Sequence, residues 1–289
     1  MVKKKAFAKL DLAISINPIK SNNGYYPVDY IDCQADLYDE ILIEQKEKDI
    51  EIICDHPDVP KNKENFVYQA VQLLKELKGD KKLGSKIVLK KGIPIKAGFG
   101  GGSSDGAAVI RGLEELWEIK LNEKQLASLA KVLGKDFYYS MYGGLAEVQG
   151  KGKNYKVIAL SPHLPTFWLL IVIPYVEKPS TGWMYEHLNT KDIGRSLDKL
   201  ENLKKAIYQK NKKDILKNLH NDFENSVVFY YPVVRDIKKD LVKVGASAAL
   251  MAGSGLSVVG FFENRERAED AKRKLRNKAY KQVLVSKII

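Results

Sequence analysis

With 289 residues, 45% of them hydrophobic and 29% charged, the chain has the make-up of an ordinary soluble globular protein with length for two separate cores. No apolar run approaches the roughly 18–20 residues that cross a bilayer. The basic start Lys3-Lys4-Lys5 leads into Lys9 and Asp11 rather than an apolar signal core, so the expected location is the cytoplasm. The net charge of +12 sits in short lysine clusters at 46–48, 61–63, 81–91, 204–213 and 272–281, mostly interleaved with acids and without a nucleic-acid motif. It reads as solvated surface whose field draws phosphorylated ligands, not as a nucleic-acid interface.

In chain order, residues 6–17 alternate with Ala8, Leu10, Leu12, Ile14 and Ile16 on one face, a strand, followed by a hairpin turn at Ser21-Asn22-Asn23-Gly24. Strands are expected at 25–35, 39–45 and 50–54, then an amphipathic helix at 65–78 stopped by Gly79, and a strand at 85–90. Past a glycine-rich stretch, 104–117 carries a helical apolar stripe, and Asn122 reads as the N-cap of a helix at 123–133 stopped by Gly134. A strand at 143–149 leads to the loop 150–153, where the boundary between two domains, 1–153 and 154–289, is expected. The second half predicts strands at 155–160 and 167–173, helices at 196–209, 213–219 and 231–244, and a turn at Ala252-Gly253-Ser254-Gly255. A strand at 257–262, a helix at 265–278 and a strand at 282–285 complete it. The class is α+β, without regular βαβ alternation.

Cys33 and Cys54 form no CxxC pair, and His56, His163, His187 and His220 show no ligand spacing, so no dedicated metal site is expected.

The strongest local signal runs from Pro94 through Lys96, Ala97, Gly98, Phe99, Gly100, Gly101 and Gly102 to Ser103, Ser104 and Asp105. Three consecutive glycines let backbone N–H groups approach an anion, and the helix that follows would turn its positive end toward bound phosphates. Ser103, Ser104 and Asp105 would supply hydroxyls and the N-cap. No GK[ST] follows the glycines, which excludes a Walker A loop, and the flanking pattern does not suit a dinucleotide fingerprint. A flexible linker would not be framed by a strand and an amphipathic helix.

This stretch resembles the PxxxGLGGGSSxAA signature of the GHMP kinases, the superfamily of galactokinase, homoserine kinase, mevalonate kinase and phosphomevalonate kinase. Most similar is the branch acting on a cytidine-diphosphate-linked methylerythritol in non-mevalonate isoprenoid synthesis. Ala8-Lys9-Leu10-Asp11-Leu12 resembles its AKxNL segment, Asn23-Gly24-Tyr25-Tyr26 its DGYH turn, and Leu133-Gly134-Lys135-Asp136 its LGAD segment. Asn221-Asp222-Phe223-Glu224 looks like its NDFE element, Lys178-Pro179-Ser180-Thr181 with Tyr185 its PxxxSTxxxY segment, and Gly253-Ser254-Gly255 the third GHMP motif.

The resemblance implies a ribosomal-protein-S5-like α/β N-terminal domain, a ferredoxin-like C-terminal domain, and ATP with Mg²⁺ as phosphoryl donor. It places Lys9 and Asp136 on the catalytic pair: Asp136 would accept the acceptor hydroxyl's proton or orient that hydroxyl, and Lys9 would hold the aspartate ionised and offset charge on the transferred group. It places the triphosphate on Gly98–Ser104, with Pro94, Lys96 and Ala97 also binding the nucleotide, the helix after Asn65 beside it, and the acceptor among Tyr25, Tyr26, Asp136, Thr181, Tyr185, Gly253, Ser254 and Gly255. Tyr175 and Tyr185 are both candidates to stack on the base. This chain departs from the pattern at Asp11 (asparagine in the family), Tyr26 (histidine), Lys135 (alanine or serine), Phe99 (leucine) and Gly106 (alanine). Lys135 would lower the Asp136 pKa or point to solvent. A GHMP kinase with a different alcohol, sugar or phosphate acceptor, and a non-catalytic ligand-binding protein of this fold, stay open. So does the choice of monomer or homodimer.

Overall fold

Two long antiparallel strands, Val2–Ile16 and Val28–Glu47, form the centre of the first sheet. The computed structural model describes residues 1–22 and 24–289; Asn23, one residue of the expected hairpin turn, lies outside the described residues. The first half runs β1 (Val2–Ile16), β2 (Val28–Glu47), β3 (Ile50–Cys54), α1 (Phe66–Lys78), β4 (Leu83–Lys90), α2 (Gly101–Leu116), α3 (Glu123–Leu133), α4 (Lys135–Tyr142), β5 (Ala146–Lys151) and β6 (Asn154–Ala159). The rest runs β7 (Trp168–Ile173), α5 (Thr181–Glu186), α6 (Leu197–Tyr208), α7 (Lys212–Asn218), β8 (His220–Asn221), α8 (Glu224–Tyr230), α9 (Val233–Lys243), β9 (Ala248–Met251), β10 (Val258–Phe262), α10 (Arg265–Lys274) and β11 (Gln282–Lys287).

The first sheet orders β3-β4-β2-β1-β8, with β5 pairing β2 and β6 pairing β5. The two strands expected at 25–35 and 39–45 are one continuous strand. Between them the register jumps from Ala8↔Ala35 to Phe7↔Tyr38, so Asp36 and Leu37 form a bulge rather than a break. The boundary expected at 153/154 falls inside the β5–β6 hairpin, where Lys151 pairs with Asn154, so the first sheet continues through Ala159. Two later segments also return to it: β8 adds in parallel to β1, and Ile289 donates its N–H to the Gln34 carbonyl at 3.0 Å.

The second sheet is antiparallel in the order β11-β7-β10-β9. Numbered along the chain that is 4-1-3-2, the ferredoxin-like arrangement expected from the family pattern. Its central strand β7 is apolar throughout because both faces are covered. Leu169 and Ile171 meet Leu10, Leu12 and Ile31 of the first sheet, while Leu170 and Val172 meet Val234, Ile237 and Leu241 of α9. Helices α1 to α4 cover the outer face of the first sheet through Val71, Leu74, Ile110, Leu113 and Phe137. The layers are therefore helices, sheet, sheet, helices. None of the helices among the described residues is long and apolar enough to cross a membrane.

The expected capping of α3 is present in full: Asn122 accepts from the Gln125 N–H, and the Gln125 side chain accepts from the Asn122 N–H. Two local expectations fail. Helix α2 begins at Gly101, three residues early, and its N-cap is Gly100 in the left-handed region (φ 65°). Asp105 is no cap; it lies inside the helix, buried, on the ammonium of Lys91. Glycine's poor helix propensity makes Gly101 and Gly102 read as loop, and tertiary packing overrides it.

Candidate active site

The cradle between β4 and α2 is built from below. Asp39 Oδ1 accepts the Gly92 and Ile93 N–H groups at 2.6 and 2.8 Å, and Lys91 Nζ lies 2.5 Å from both Asp39 Oδ2 and Asp105 Oδ2. The chain then climbs through positive φ at Lys96 (57°), Gly98 (89°) and Gly100 (65°). The Lys9 N–H donates to the Phe99 carbonyl at 3.0 Å, which pins the loop to β1. The N–H groups of Gly101, Gly102 and Ser103 have no acceptor within the helix and are available to an anion.

Two glycines are required by space. A Cβ on Gly98 would sit 2.5 Å from the Ala252 carbonyl oxygen, and one on Gly100 would sit 2.9 Å from Lys9 Cγ and 3.6 Å from Asp136 Oδ2. The two glycine turns, 98–102 and 253–255, thus meet at the sheet junction, with the charged residues directly against Gly100.

Those charged residues converge from three elements. Lys9 and Asp11 share one face of β1, two residues apart, and Lys9 Nζ lies 2.7 and 2.6 Å from the two Asp11 carboxylate oxygens. Asp32 is the cross-strand partner of Asp11 on β2, so two buried carboxylates face each other. Such a pair is unfavourable unless a proton or a cation intervenes. Both do. Lys135 Nζ lies 2.9 Å from Asp32 Oδ2, 3.4 Å from Asp11 Oδ1 and 3.0 Å from Asp136 Oδ1, above the Tyr30 ring at 3.6 Å. Gly134 (φ 89°) ends α3 and starts α4, so Asp136 stands in the first turn of a helix.

Burial and then Asp11 push Asp32 up to about 8, so it holds a proton at neutral pH. Burial opposes ionisation of Asp136, but Lys135 and then Lys9 outweigh it and hold its carboxyl below the usual carboxylate range. Burial likewise opposes both ammonium groups. Asp11 and Asp136 nevertheless raise Lys9, and Asp136, Asp32 and Asp11 raise Lys135 well above an ordinary lysine. Two cations thus balance two carboxylates, and the third acid is neutral.

A cleft of about 640 Å³ opens over this cluster. Its lining includes the expected Lys9, Pro94, Lys96, Ala97, Gly98, Phe99, Gly100, Gly101, Gly102, Ser103, Asp136, Thr181, Tyr185, Gly253, Ser254 and Gly255. Four expected residues are not in that lining. The Ser104 hydroxyl is buried and donates to the Phe7 carbonyl at 2.7 Å. Asn65 caps α1, accepting from the Val67 N–H at 2.8 Å and donating to the Pro60 carbonyl, so its amide is committed to the fold. Tyr26 packs on the outer core of the second sheet, with Lys20 above its ring, and Tyr25 is 57% exposed. Of the two base-stacking candidates, Tyr185 lines the cleft, with its hydroxyl 3.2 Å from that of Tyr30, and Tyr175 does not.

Sequence reasoning passed over Phe66, Tyr155 and the ammonium of Lys178, which also line the cleft. Phe66 follows the cap Asn65 at the open end of α1. Lys178 touches the Ser254 hydroxyl, which lies 3.1 Å from that of Thr181, and burial, with Lys9 nearby, pulls its pKa down to about 8. The motif Lys178-Pro-Ser-Thr was the only signal for it.

Comparison with known proteins agrees with this geometry. The GHMP kinases N terminal domain model matches residues 65–148 and the GHMP kinases C terminal model matches 201–282. A 4-diphosphocytidyl-2-C-methyl-D-erythritol kinase of Clostridium tetani is 36% identical over the whole of both chains, and one of Acetivibrio thermocellus is 37% identical over 91% of each. The crystal structure of a 4-(cytidine 5'-diphospho)-2C-methyl-D-erythritol kinase superposes with a TM-score of 0.80 at 26% identity, covering 99% of both chains. The chain belongs to the GHMP kinases, in the family of 4-diphosphocytidyl-2-C-methyl-D-erythritol kinases, and is a phosphotransferase with an alcohol group as acceptor.

Proposed function

We propose that the protein transfers the γ-phosphoryl group of ATP to the 2-hydroxyl of 4-diphosphocytidyl-2-C-methyl-D-erythritol, in the cytoplasm and without a nucleic-acid or membrane partner. The observation that carries the mechanism is the placement of Asp136: an ionised carboxylate between two lysines, directly against Gly100 at the phosphate end of α2.

In this reading the N–H groups of residues 101–103 and the α2 dipole hold the nucleotide's phosphates, and Phe66, presented by the Asn65 cap, flanks its base. Asp136 accepts the proton of the acceptor hydroxyl. That oxygen then bonds to the γ-phosphorus as the bond to the ADP oxygen breaks. Lys9, and Lys178 from the opposite wall, offset negative charge on the transferred group. Thr181 and Ser254 position the acceptor, while Tyr185 in the cleft and Tyr25 near Tyr155 offer ring faces to its cytosine. Mg²⁺ would neutralise the triphosphate.

A phosphorylation assay across the cytidine substrate, mevalonate, phosphomevalonate, homoserine and galactose tests the acceptor. Turnover of the cytidine substrate alone is expected. Turnover of another alcohol with none of the cytidine compound would overturn this assignment and leave a GHMP kinase of different specificity.

A further inference from the structure

We infer that Lys135 is a positioning residue for the reaction: clamped by Asp32 and Asp11, its ammonium takes over from Lys9 as the main counter-charge that keeps Asp136 ionised and aimed at the cleft. The inference rests on the base role proposed for Asp136.

The distances separate the two lysines. Lys9 spends its ammonium on Asp11, at 2.6 and 2.7 Å, and stands 3.6 Å from Asp136; Lys135 stands 3.0 Å from Asp136. Lys135 itself is fixed from behind. Asp32 Oδ2 at 2.9 Å and Asp11 Oδ1 at 3.4 Å hold the ammonium over the Tyr30 ring, and only 12% of the side chain is exposed. Asp136 is 32% exposed and opens to the cleft. A cation anchored on the dry side and meeting a carboxylate on the wet side fixes the direction in which that carboxylate faces.

The arrangement also accounts for the company of Asp11 and Lys135, the two charged residues that flank Lys9 and Asp136 in the chain. They lie 124 residues apart in sequence and are partners in space. A second carboxylate beside Lys9 would divert that lysine from Asp136; a second lysine restores the balance. The proton on Asp32 lets the set close neutral, and burial is the main reason that proton stays. The charged and titratable groups facing Asp136 are Lys135 on its own helix, Lys9 and Asp11 on β1, Tyr30 on β2, Tyr155 on β6 and Tyr185 on α5. Lys135 and Lys9 are the only cations among them.

The test is the pH dependence of kcat/KM for the acceptor at saturating nucleotide, in wild type, K135M, K135R and the double variant K135M/D11N, with nucleotide Kd measured alongside. An opposite charge this close lowers a carboxyl pKa by about 1–3 units, so K135M is expected to raise the apparent pKa of the acid limb by about 1 unit or more with nucleotide Kd little changed. K135R is expected to return the limb toward wild type. Adding D11N to K135M is expected to move it back down, because Lys9 is released toward Asp136; general structural damage would add, not compensate. K135Q replaces K135M should the latter not fold. A K135M or K135Q limb at the wild-type position, or a double variant worse than the single in limb position, overturns the inference. D136N in the same series tests the underlying reading: retained turnover there removes the base role itself, whatever Lys135 does.

Discussion

Two buried sets among the described residues place one lysine between two aspartates, and they do different work. Under the glycine cradle, Lys91 bridges Asp39 and Asp105, its two ion-pair partners among the described residues, while Asp39 also receives the Gly92 and Ile93 N–H groups. That set ties β2, the loop and α2 together. Under Asp136, Lys135 bridges Asp32 and Asp11 and has a third carboxylate in front of it that faces the cleft. Composition and burial are nearly the same in both. The third acceptor, and the side it opens on, turns a brace into an electrostatic control.

That contrast can be broken or sharpened by experiment. K91M should cost the most stability, on the order of 3 kcal/mol by denaturant unfolding, because it strands two buried acids. In folded K91M the acid limb of the pH profile should stay where it is, unlike that of K135M. K178M should weaken nucleotide or acceptor binding by about tenfold, the worth of one charge-assisted hydrogen bond. Because the Lys178 pKa is pulled down to about 8, wild-type affinity should fall as pH rises through that value and the variant's should not, read by calorimetry at pH 7 and 9. Asp32 gives a subtler signature. Its folded pKa of about 8 lies above an unfolded carboxyl, so its protonated form contributes stability at low pH that is lost as pH climbs toward 8. Wild type should therefore lose unfolding free energy between pH 5 and 8 more steeply than D32N. Smallest of these, N65A should cost about 1 kcal/mol through the lost α1 cap, with nucleotide Kd weakened only through Phe66.

Features written in neighbouring residues were legible in the sequence. The Asn122–Gln125 capping box, the Gly79 stop, the loop 98–102 and the apolar stripe of α2 are local patterns that packing preserved. The charged cluster was legible only in part: Lys135 stands out by its place beside Asp136, but its partner Asp32 is 103 residues away and does not stand out among so many aspartates. Short elements escaped for a different reason. The six residues of α5 and the two of β8 are too few to show a period and exist because neighbours pair with them or cover them. Asn65 and Ser104 show a different limit. Both carry groups suited to a ligand, and in both the fold had already used them, as a helix cap and as a tie to the Phe7 carbonyl.

The central claim is that Asp136 does chemistry beside a phosphate cradle it does not help to build. D136N tests it most directly, by single-turnover phosphoryl transfer and nucleotide Kd measured on the same preparation. The expected result is a loss of roughly 10³-fold in the transfer rate, the usual worth of a general base, with Kd changed less than about threefold. Transfer and nucleotide binding lost in equal measure would contradict it and make Asp136 part of the cradle's structure.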